Sequence, residues 1–294
     1  MNKSDLIVDI QELQRKAGVI TILKGLDLRV ETGNVIALLG KNGAGKTTLL
    51  ETLLGFAFPS YGQVRLWGID ATHIGDEQKQ KIGFVPQQDE LLLTMTGKEH
   101  VELFRGFRPT WNRTLVEKLI LEWMIPMDTR VNKMSVGQRQ KLSILLAMAH
   151  EPQLLVLDEP VASLDPIARR QFLQQIIDIA ADDQRAVIFS THIVSDVERV
   201  ANQVWMLHDG ILDYQGDLDQ LKESLVRITI PREFYVEECI SLLPDILKKR
   251  EDNLHIQLTL KNFSNELENN IRSRVPGMQI EYLNLEDIFL EMNT

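Results

Sequence analysis

The first two-thirds of the sequence predict an α/β fold, and three observations support this prediction. Short runs of consecutive apolar residues recur along the chain, as expected for strands that are covered on both faces of a parallel sheet. Stretches with apolar residues at the spacing of one helix face lie between these runs. A glycine-rich segment of the kind that binds phosphate joins one predicted strand to one predicted helix. This alternation of strands and helices indicates a parallel sheet.

An antiparallel piece precedes the parallel sheet. Residues 4–32 are typical of antiparallel strands, with Thr32 and Gly33 as a turn. The predicted strands of the parallel sheet are, in order, Val35–Leu39, Lys81–Val85, Leu154–Leu157, Ala186–Ser190 and Val204–Leu207. Between them, helical spacing is clear at Leu142, Leu145, Leu146 and Ala149.

The pattern changes after Gly216, and we predict a domain boundary near residue 217. Residues 1–217 then form one domain, and residues 218–294 form a small α/β accessory domain. The predicted elements of this second part are a helix over Asp217–Ser224, a strand over Val226–Ile230, a helix over Val236–Lys249, a strand over Leu254–Leu260, a helix over Ser264–Val275, a strand over Met278–Leu283 and a helix over Leu285–Met292.

Composition excludes several classes of protein. The 294 residues are 44% hydrophobic and 25% charged, which is typical of a globular protein and not of a disordered one. The formal net charge of -10 disfavours a nonspecific nucleic-acid binder. The single cysteine, Cys239, excludes an internal disulfide framework. The charged start of the chain is unlike a signal peptide, and no apolar run reaches the ~20 residues that cross a bilayer. We therefore expect any membrane role to come from a partner.

Residues 40–47 read GKNGAGKT and match the phosphate-loop pattern G-x-x-x-x-G-K-[ST]. Gly43 and Gly45 allow the backbone to fold tightly around an anion with its N–H groups pointing inward. The helix that begins there adds the positive end of its dipole. Lys46 supplies a positive charge for the β- and γ-phosphates, and the Thr47 hydroxyl can ligate Mg²⁺.

A pair of carboxylates, Asp158 and Glu159, ends the apolar run LLVL. Ligands of open α/β sheets bind at the carboxyl ends of strands, so Asp158 is placed to hold Mg²⁺. Successive strand residues point to opposite faces, and Glu159 shares this site only if the strand has already ended. Pro160 indicates that it has, and Glu159 is then a candidate general base for the attacking water.

Two further polar residues follow predicted parallel strands. Gln87 comes after IGFVP and can reach a metal ion or the attacking water. His192 comes after AVIFST and can contact a γ-phosphate and hold the water together with Glu159. Either residue alone is more typical of an ordinary polar loop. Their position at the same sheet edge as the phosphate loop favours the functional interpretation.

The segment Ser135-Val136-Gly137-Gln138 matches the capping box Ser-x-x-Gln and therefore predicts a helix start. Its hydroxyl, a backbone N–H near Gly137 and the helix dipole also suit a γ-phosphate. Because the phosphate loop already supplies a cradle for one nucleotide, this second anion surface is best used on a neighbour's nucleotide. The sequence thus predicts a head-to-tail pair of chains with ATP held at each interface.

Six motifs together resemble the ATP-binding subunit of an ABC transporter. They occur in the order GKNGAGKTT, the Gln after IGFVP, MSVGQRQKLSIL, LLVLDEP, VASLDP and the His of FSTH. The resemblance covers about residues 4–217. It implies a P-loop NTPase with a RecA-like core, an N-terminal antiparallel β subdomain and a helical subdomain that carries the signature motif, to which the small C-terminal α/β part is added.

The resemblance also implies a role for each candidate residue. Asp158 is similar to the Walker B aspartate, Glu159 to the catalytic glutamate, Gln87 to the Q-loop and His192 to the switch histidine. The metal ligands implied are Thr47, Gln87 and Asp158. The nucleotide contacts implied are Gly40, Asn42, Gly43, Ala44, Gly45, Lys46, Thr47 and Thr48 of Walker A, and Ser135, Gly137 and Gln138 of the signature motif. Ala162–Asp165 resemble the D-loop.

The partners and location follow from the same resemblance. It implies a transport-coupled ATPase that uses ATP and Mg²⁺ and lies on the cytoplasmic side of the membrane. It works with separate permease subunits and with a second ATP-binding subunit, in a homodimer or a heterodimer, and no nucleic acid is expected as a partner. The ending LNLEDIFLEM resembles exporter-type subunits. The alternative is a soluble ABC-type ATPase with a regulatory or nucleic-acid-related role, but this sequence lacks the basic surface or long coiled insertions usual there.

Residues 90–104 resemble the surface that receives the permease's coupling helix. Leu91, Leu92, Leu93 and Met95 are either core residues or part of an adaptable groove for a partner helix.

The sequence departs from the family at two positions. Ala17 aligns with the usual aromatic residue that stacks on adenine, and no Phe, Tyr or Trp occurs before Phe56. We expect weaker ATP affinity or looser base selectivity unless Arg15, Val19 or a partner covers the ring. Val136 replaces the usual signature glycine, and a β-branched residue adopts positive φ only at a cost. A close backbone approach at Val136 is therefore in question.

Overall fold

The computed structural model describes residues 6–235, 243, 245–264, 268, 272, 275 and 277–292. These residues divide into two compact units, Met1–Gln215 and Gly216–Thr294. The change of pattern after Gly216 lies at this division. In the part of the chain that is described, no helix has the length and apolar character needed to cross a lipid bilayer.

The first unit begins with an antiparallel sheet, as predicted for residues 4–32. Strands β1 (Leu6–Ala17) and β2 (Ile20–Glu31) form a long hairpin. Two strands that the sequence patterns did not indicate, β4 (Tyr61–Leu66) and β5 (Ile69–Asp70), complete the sheet in the order β2-β1-β4-β5. The buried side chains of β1 and β2 alternate with exposed ones, because only one face of this sheet packs on the core.

The central sheet of the first unit has the strand order β10-β9-β3-β8-β7-β6. The strands are β3 (Val35–Leu39), β6 (Ile82–Val85), β7 (Leu154–Leu157), β8 (Ala186–Thr191), β9 (Gln203–His208) and β10 (Ile211–Asp217). Strand β3 pairs in parallel with β8 and β9, and β7 pairs in parallel with β6 and β8. The apolar runs thus predict five of these strands, since β3, β7 and β8 are buried along their whole length.

Helices connect the strands of the central sheet. They are α1 (Lys46–Leu53), α2 (Asp76–Gln80), α3 (Gly97–Gly106), α4 (Arg113–Glu122), α5 (Val136–Met148), α6 (Pro166–Ala180) and α7 (Val194–Val200). Helix α5 is buried at Leu142, Leu145 and Leu146, the face that the sequence predicts, and also at Ile144 and Met148. Helix α5 is therefore covered on more than one side.

The second unit contains an antiparallel sheet with the order β12-β13-β11-β14. Its described elements are α8 (Leu218–Ser224), β11 (Val226–Pro231), β12 (Ile246–Glu251), β13 (His255–Leu260), β14 (Gln279–Tyr282) and α9 (Leu285–Met292). One face of β11 and β13 is apolar and buried, at Val226, Ile228, Ile230, Ile256 and Leu258.

One prediction for the second unit is wrong where it can be compared. The predicted helix over 236–249 ends in residues that form strand β12, which pairs with β13. The pairing is a contact between separate segments of the chain, and it overrides the local preference for a helix. Residues 236–242 and 244 of this predicted helix lie outside the described residues. So does most of the predicted helix over 264–275.

Candidate active site

A cleft of about 360 Å³ lies at the carboxyl ends of the central strands. Its lining consists of Ile22, Lys41, Asn42, Gly43, Gly45, Lys46, Thr47, Thr48, Gln87, Asp158 and Glu159. The loops after β3, β6 and β7 supply almost all of these residues. The cleft therefore brings together the phosphate loop, Gln87 and both carboxylates of the sequence analysis. Ile22 and Lys41 are added by the structure.

The phosphate loop has the backbone conformation that its glycines allow. Gly43 and Gly45 have φ values of 86° and 107°, and Gly45 is the N-cap of α1. No side chain caps α1, so the N–H groups of its first turn remain open to an anion. Gly40 serves a different purpose, since a Cβ at this position would lie 2.5 Å from the Leu207 carbonyl oxygen. Gly40 allows the loop to pack on β9 and does not line the cleft.

Lys46 is buried and points along the loop that contains it. Its Nζ donates to the Gly40 carbonyl oxygen at 2.7 Å and lies 3.3 Å from Oε1 of Glu159. Only 7% of Lys46 and 7% of Glu159 are exposed, so this ion pair is shielded from solvent. Oε1 of Glu159 accepts no hydrogen bond from any residue that the structure describes. An anion that attracts Lys46 would therefore release a carboxylate oxygen that has no other partner.

Asp158 is held by two hydroxyl groups. Thr47 Oγ1 donates to Oδ2 at 2.6 Å, and Ser190 Oγ donates to Oδ1 at 2.5 Å. The same Ser190 oxygen accepts the backbone N–H of Glu159 at 2.8 Å. Ser190 therefore positions both acidic residues, a role that the sequence patterns above do not predict. The hydroxyl near the end of the otherwise apolar run AVIFST is the feature that could have indicated it.

Glu159 turns into the cleft because its backbone is left-handed. Strand β7 ends at Leu157, and Glu159 has a φ of 48°. A residue other than glycine is seldom found there and pays roughly 1–2 kcal/mol for it. Successive residues of a strand point to opposite faces, but because of this turn Asp158 and Glu159 both line the cleft. Oε2 of Glu159 lies 2.9 Å from Nδ1 of His192, which follows β8.

The predicted signature residues stand apart from this cleft. Ser135 is the N-cap of α5: its Oγ accepts the Gln138 N–H, and the Gln138 side chain accepts the Ser135 N–H at 2.9 Å. The capping box is thus present. Neither Ser135, Gly137 nor Gln138 lines the cleft. A Cβ on Gly137 would lie 2.9 Å from the Ser163 carbonyl oxygen, so this position needs glycine for close packing against the loop after β7.

The concern about Val136 is not supported by the backbone. Val136 is the first residue of α5, it is absent from the residues with positive φ, and it is half exposed. A β-branched side chain is compatible with that conformation. The position therefore carries no backbone strain, and its Cβ and methyl groups face outward.

The loop after Gln87 is tied to the signature helix. Oδ2 of Asp89 accepts from Nε of Arg139 at 2.9 Å, and Nη1 of Arg139 donates to the Met134 carbonyl oxygen. Two backbone hydrogen bonds continue the connection, from Asn132 to Leu93 and from Val131 to Met95. The loop from 89 to 95 and the start of α5 are therefore one hydrogen-bonded assembly.

The hairpin beside the cleft carries no aromatic ring at the place considered for adenine. Ala17 and Val19 are exposed, and Ile22 is the β2 residue that lines the cleft. Arg15 is committed elsewhere, because its Nη1 donates to the Phe58 carbonyl oxygen at 2.9 Å. The apolar surface that this hairpin offers to a base is aliphatic.

The arrangement is suited to one kind of chemistry. Open N–H groups and a buried lysine at the phosphate loop can hold a polyphosphate. A buried carboxylate in contact with an imidazole can orient a water molecule and take its proton. Hydroxyl, amide and carboxylate oxygens from Thr47, Gln87 and Asp158 are the donors that Mg²⁺ prefers. Together they suit phosphoryl transfer to water.

Comparisons with known proteins agree with this chemistry. A profile of the ABC transporter family matches residues 23–162. The chain is 33% identical over 223 residues to the ABC transporter ATP-binding protein NatA of Bacillus subtilis (strain 168), with 73% of this chain and 89% of that protein covered. It is 28% identical over 295 residues to the Nod factor export ATP-binding protein I of Burkholderia pseudomallei (strain 1710b), with 97% and 96% covered.

A solved structure supports the same grouping. The structure described as an ATP-binding subunit of an ABC transporter superposes with a TM-score of 0.67 at 25% identity. The superposition covers 74% of this chain and 92% of the other.

Proposed function

This chain belongs to the ABC transporter ATP-binding family and is an ATPase, and we propose that it drives separate membrane permease subunits by closing and reopening a head-to-tail dimer. The observation that best supports the proposal is the contact of Glu159 with both Lys46 and His192, at 3.3 Å and 2.9 Å to its two carboxylate oxygens. A carboxylate placed between a phosphate-binding lysine and an imidazole is arranged for attack of water on a terminal phosphate.

ATP binding begins at the phosphate loop. The open N–H groups at the start of α1 and the Lys46 ammonium hold the β- and γ-phosphates. Asn42, Gly43, Ala44, Gly45, Thr47 and Thr48 complete this cradle, and Gly40 lets it pack. Because Lys46 then pairs with phosphate, Glu159 loses its cationic partner and becomes available as a base.

The metal ion is proposed to sit where Thr47 and Asp158 meet. The 2.6 Å contact between their oxygens and the position of Gln87 in the same cleft fit the oxygen ligands of Mg²⁺. When bound, Mg²⁺ neutralises charge on the phosphate oxygens. Ser190 keeps the Asp158 carboxylate oriented through its own hydrogen bond.

Hydrolysis is assigned to the residues around Glu159. Glu159 accepts a proton from the attacking water through its free carboxylate oxygen, and Gln87 helps to orient that water. His192 holds the other oxygen and contacts the γ-phosphate. Positioned acid–base groups of this kind contribute about 10²–10⁴-fold to rate.

The dimer completes the site from a second subunit. Ser135, Gly137 and Gln138 present a helix N-terminus of the phosphate-binding type but do not line the cleft of their own chain. We therefore assign them to the γ-phosphate of the partner's ATP. The dimer closes only when ATP is bound, because only then do the phosphate loop of one subunit and the signature motif of the other contact the same γ-phosphate. Homodimer and heterodimer are both compatible with this geometry.

A groove between α2 and α3 is the proposed contact for the permease. It has a volume of about 470 Å³ and is lined by Asp76, Lys79, Gln80, Leu103, Phe104, Phe107 and Arg108. Leu92 and Leu93 of the neighbouring loop are each more than half exposed, which favours the groove interpretation over the core interpretation for these two. Such a groove suits the apolar face of a partner helix and would keep this chain at the cytoplasmic face of the membrane.

Export is the proposed direction of transport. The similarity to the Nod factor export protein extends over 97% of this chain and so includes most of residues 218–294. The ending LNLEDIFLEM points to the same class.

Replacement of Glu159 tests the proposed function directly. Glu159→Gln keeps the shape of the side chain and removes the base, so we expect ATP hydrolysis to fall at least about 100-fold. With ATP, the variant should form a dimer that light scattering detects after size exclusion, whereas ADP should leave it monomeric. Glu117→Gln, on an exposed position of α4, is the matched control. Normal hydrolysis by the Glu159 variant, or no ATP-dependent dimer, would contradict the proposal.

A further inference from the structure

The turn after His192 has one local side-chain contact, in which the N–H of Ile193 donates to the Thr191 hydroxyl at 3.0 Å. Helix α7 begins at Val194, two residues after His192, and has only seven residues. Its N-cap, Ile193, makes no side-chain capping hydrogen bond. A helix this short is not stable by itself, so contacts with other elements must fix its first turn. His192 lies directly before this turn, and its Nδ1 contacts Oε2 of Glu159 at 2.9 Å.

Asp196 in this first turn forms an ion pair with Arg169 of α6. Nε of Arg169 lies 2.8 Å and 2.7 Å from the two carboxylate oxygens of Asp196, and Nη2 lies 2.6 Å from Oδ1. Nη2 also lies 3.4 Å from the Ser195 hydroxyl. Asp196 is 3% exposed, so its charge is balanced by Arg169 and hardly by solvent. A guanidinium that contacts both oxygens fixes direction as well as distance.

Arg169 is itself anchored to the loop that carries the D-loop resemblance. It lies in the first turn of α6, where its N–H donates to the Asp165 carbonyl oxygen at 2.9 Å. Asp165 caps α6 by accepting from the N–H groups of Ile167 and Ala168. The Ala168 N–H and Lys141 of α5 hold the pKa of Asp165 below its usual range. Arg169 thus joins the start of α6 to the start of α7.

We propose that Arg169 and Asp196 are positioning residues for His192. Their ion pair fixes the first turn of α7, and through it keeps the imidazole on the Glu159 carboxylate in a geometry productive for hydrolysis. It also makes that geometry depend on the loop 162–165, whose Ser163 packs against Gly137 at the start of α5. The inference rests on the proposed roles of Glu159 and His192. It adds Arg169 and Asp196 as the residues that hold His192 in position beside Glu159.

The test compares Arg169→Met and Asp196→Asn with the unchanged protein. Each should lower kcat for ATP about tenfold or more, because a small displacement of a catalytic group is costly in rate. KM and the stoichiometry of nucleotide binding should stay within about twofold, since neither residue lines the cleft. The double variant Arg169→Met/Asp196→Asn should lose no more than either single variant, because the two residues act as a unit.

Two further variants separate positioning from folding. Arg169→Lys keeps the charge but loses the contact of one guanidinium with both oxygens, so its kcat should lie between those of the wild type and Arg169→Met. Arg170→Met removes the adjacent, exposed arginine and should leave kcat unchanged. In the Arg169→Met and Asp196→Asn proteins, the amides of residues 194–197 should exchange faster with deuterium.

The outcomes are distinct. A kcat of Arg169→Met within about twofold of the wild type, or a fall in rate matched by an equal fall in nucleotide-binding stoichiometry, overturns the positioning role. The first result would show that His192 needs no such support, and the second that the pair only maintains the fold. If Glu159→Gln hydrolyses ATP normally, the proposed function itself fails, whatever Arg169 does.

Discussion

The Thr47 hydroxyl lies 2.6 Å from Oδ2 of Asp158, although the two residues are 111 positions apart in the chain. Parallel pairing explains the contact, because β3 and β7 both flank β8 and end at the same edge of the sheet. The contact joins a residue that ends the phosphate loop to a carboxylate that is 1% exposed. A divalent cation placed there would meet two oxygen ligands that are already oriented.

Replacement of Asp158 by asparagine tests this arrangement. The amide keeps an oxygen for Thr47 but loses the negative charge, so we expect ATP hydrolysis to fall at least about 100-fold and to need more Mg²⁺. Binding of ATP in EDTA should change less than about threefold, because the phosphate loop is intact. A magnesium titration of the hydrolysis rate measures the effect, with Asp183→Asn at an exposed position as control. An unchanged magnesium requirement would remove Asp158 from the metal site.

Sequence patterns predict the parts of this site that depend on local chemistry. The phosphate loop and the apolar strands of the central sheet follow from glycine spacing and from continuous burial. The left-handed backbone of Glu159 could not be predicted, because nothing in the residue type requires a φ of 48°. The role of Ser190 could not be predicted either, because its contact with the Glu159 N–H forms only when β8 pairs with β7. Strand β12 likewise depends on its pairing with β13.

The signature motif offers a second prediction. Ser135→Arg places a long cation at the N-terminus of α5. The cleft of the same chain should be undisturbed, because Ser135 does not line it. ATP affinity should therefore stay within about threefold, while ATP-dependent dimerisation and hydrolysis are lost. Light scattering and a phosphate-release assay provide the two readouts. Thr114→Arg on the surface helix α4 is the control for a new surface cation. Loss of ATP binding along with dimerisation would place Ser135 in the site of its own subunit.

His150 gives a third prediction, on stability against pH. It is 2% exposed, its Nε2 donates to the Ile82 carbonyl oxygen, and its Nδ1 has no partner among the described residues. Burial, reinforced by the charge of Arg108, lowers the pKa of His150 from 6.5 to about 4. Between these pH values His150 is mostly protonated in the unfolded chain and mostly neutral in the folded chain. As the pH is lowered through this window, the free energy of unfolding should therefore fall by about 1.4 kcal/mol per pH unit, and by roughly 3 kcal/mol in total.

Replacement of His150 isolates this contribution from the carboxylates that titrate at lower pH. His150→Gln can still donate to the Ile82 carbonyl oxygen but does not titrate. The stability difference between wild type and His150→Gln, measured by urea unfolding, should shift in favour of the variant by roughly 3 kcal/mol between pH 7 and pH 4. His73→Gln, at a largely exposed histidine, should show no such shift. A constant difference across this range would mean that His150 has the same pKa in the folded protein as in the unfolded chain.

The missing aromatic ring near the cleft leads to a fourth prediction. Ala17 is exposed, and the hairpin formed by β1 and β2 contains no aromatic residue. We expect ATP and GTP to bind within about tenfold of each other. Ala17→Tyr should tighten ATP binding by about 5- to 150-fold, since stacking of a base on an aromatic ring is worth about 1–3 kcal/mol. Lys16→Tyr places the ring on the opposite face of β1 and should have little effect. A strong preference of the wild type for ATP would show that another group reads the base.

A buried carboxylate in the second unit supports the last prediction. Glu291 of α9 has a side chain that is 2% exposed, and its oxygens lie 2.8 Å from Arg227 of β11 and 2.8 Å from Arg250 of β12. Removal of one partner from a buried ion pair costs about 3–5 kcal/mol, because the remaining charges keep their desolvation penalty. Glu291→Ala should therefore detach α9 from the sheet and speed deuterium exchange of residues 285–292 and 226–231 in the full chain. Glu286→Ala, exposed on the same helix, should leave exchange unchanged. Equal exchange in both variants would show that apolar packing alone holds α9.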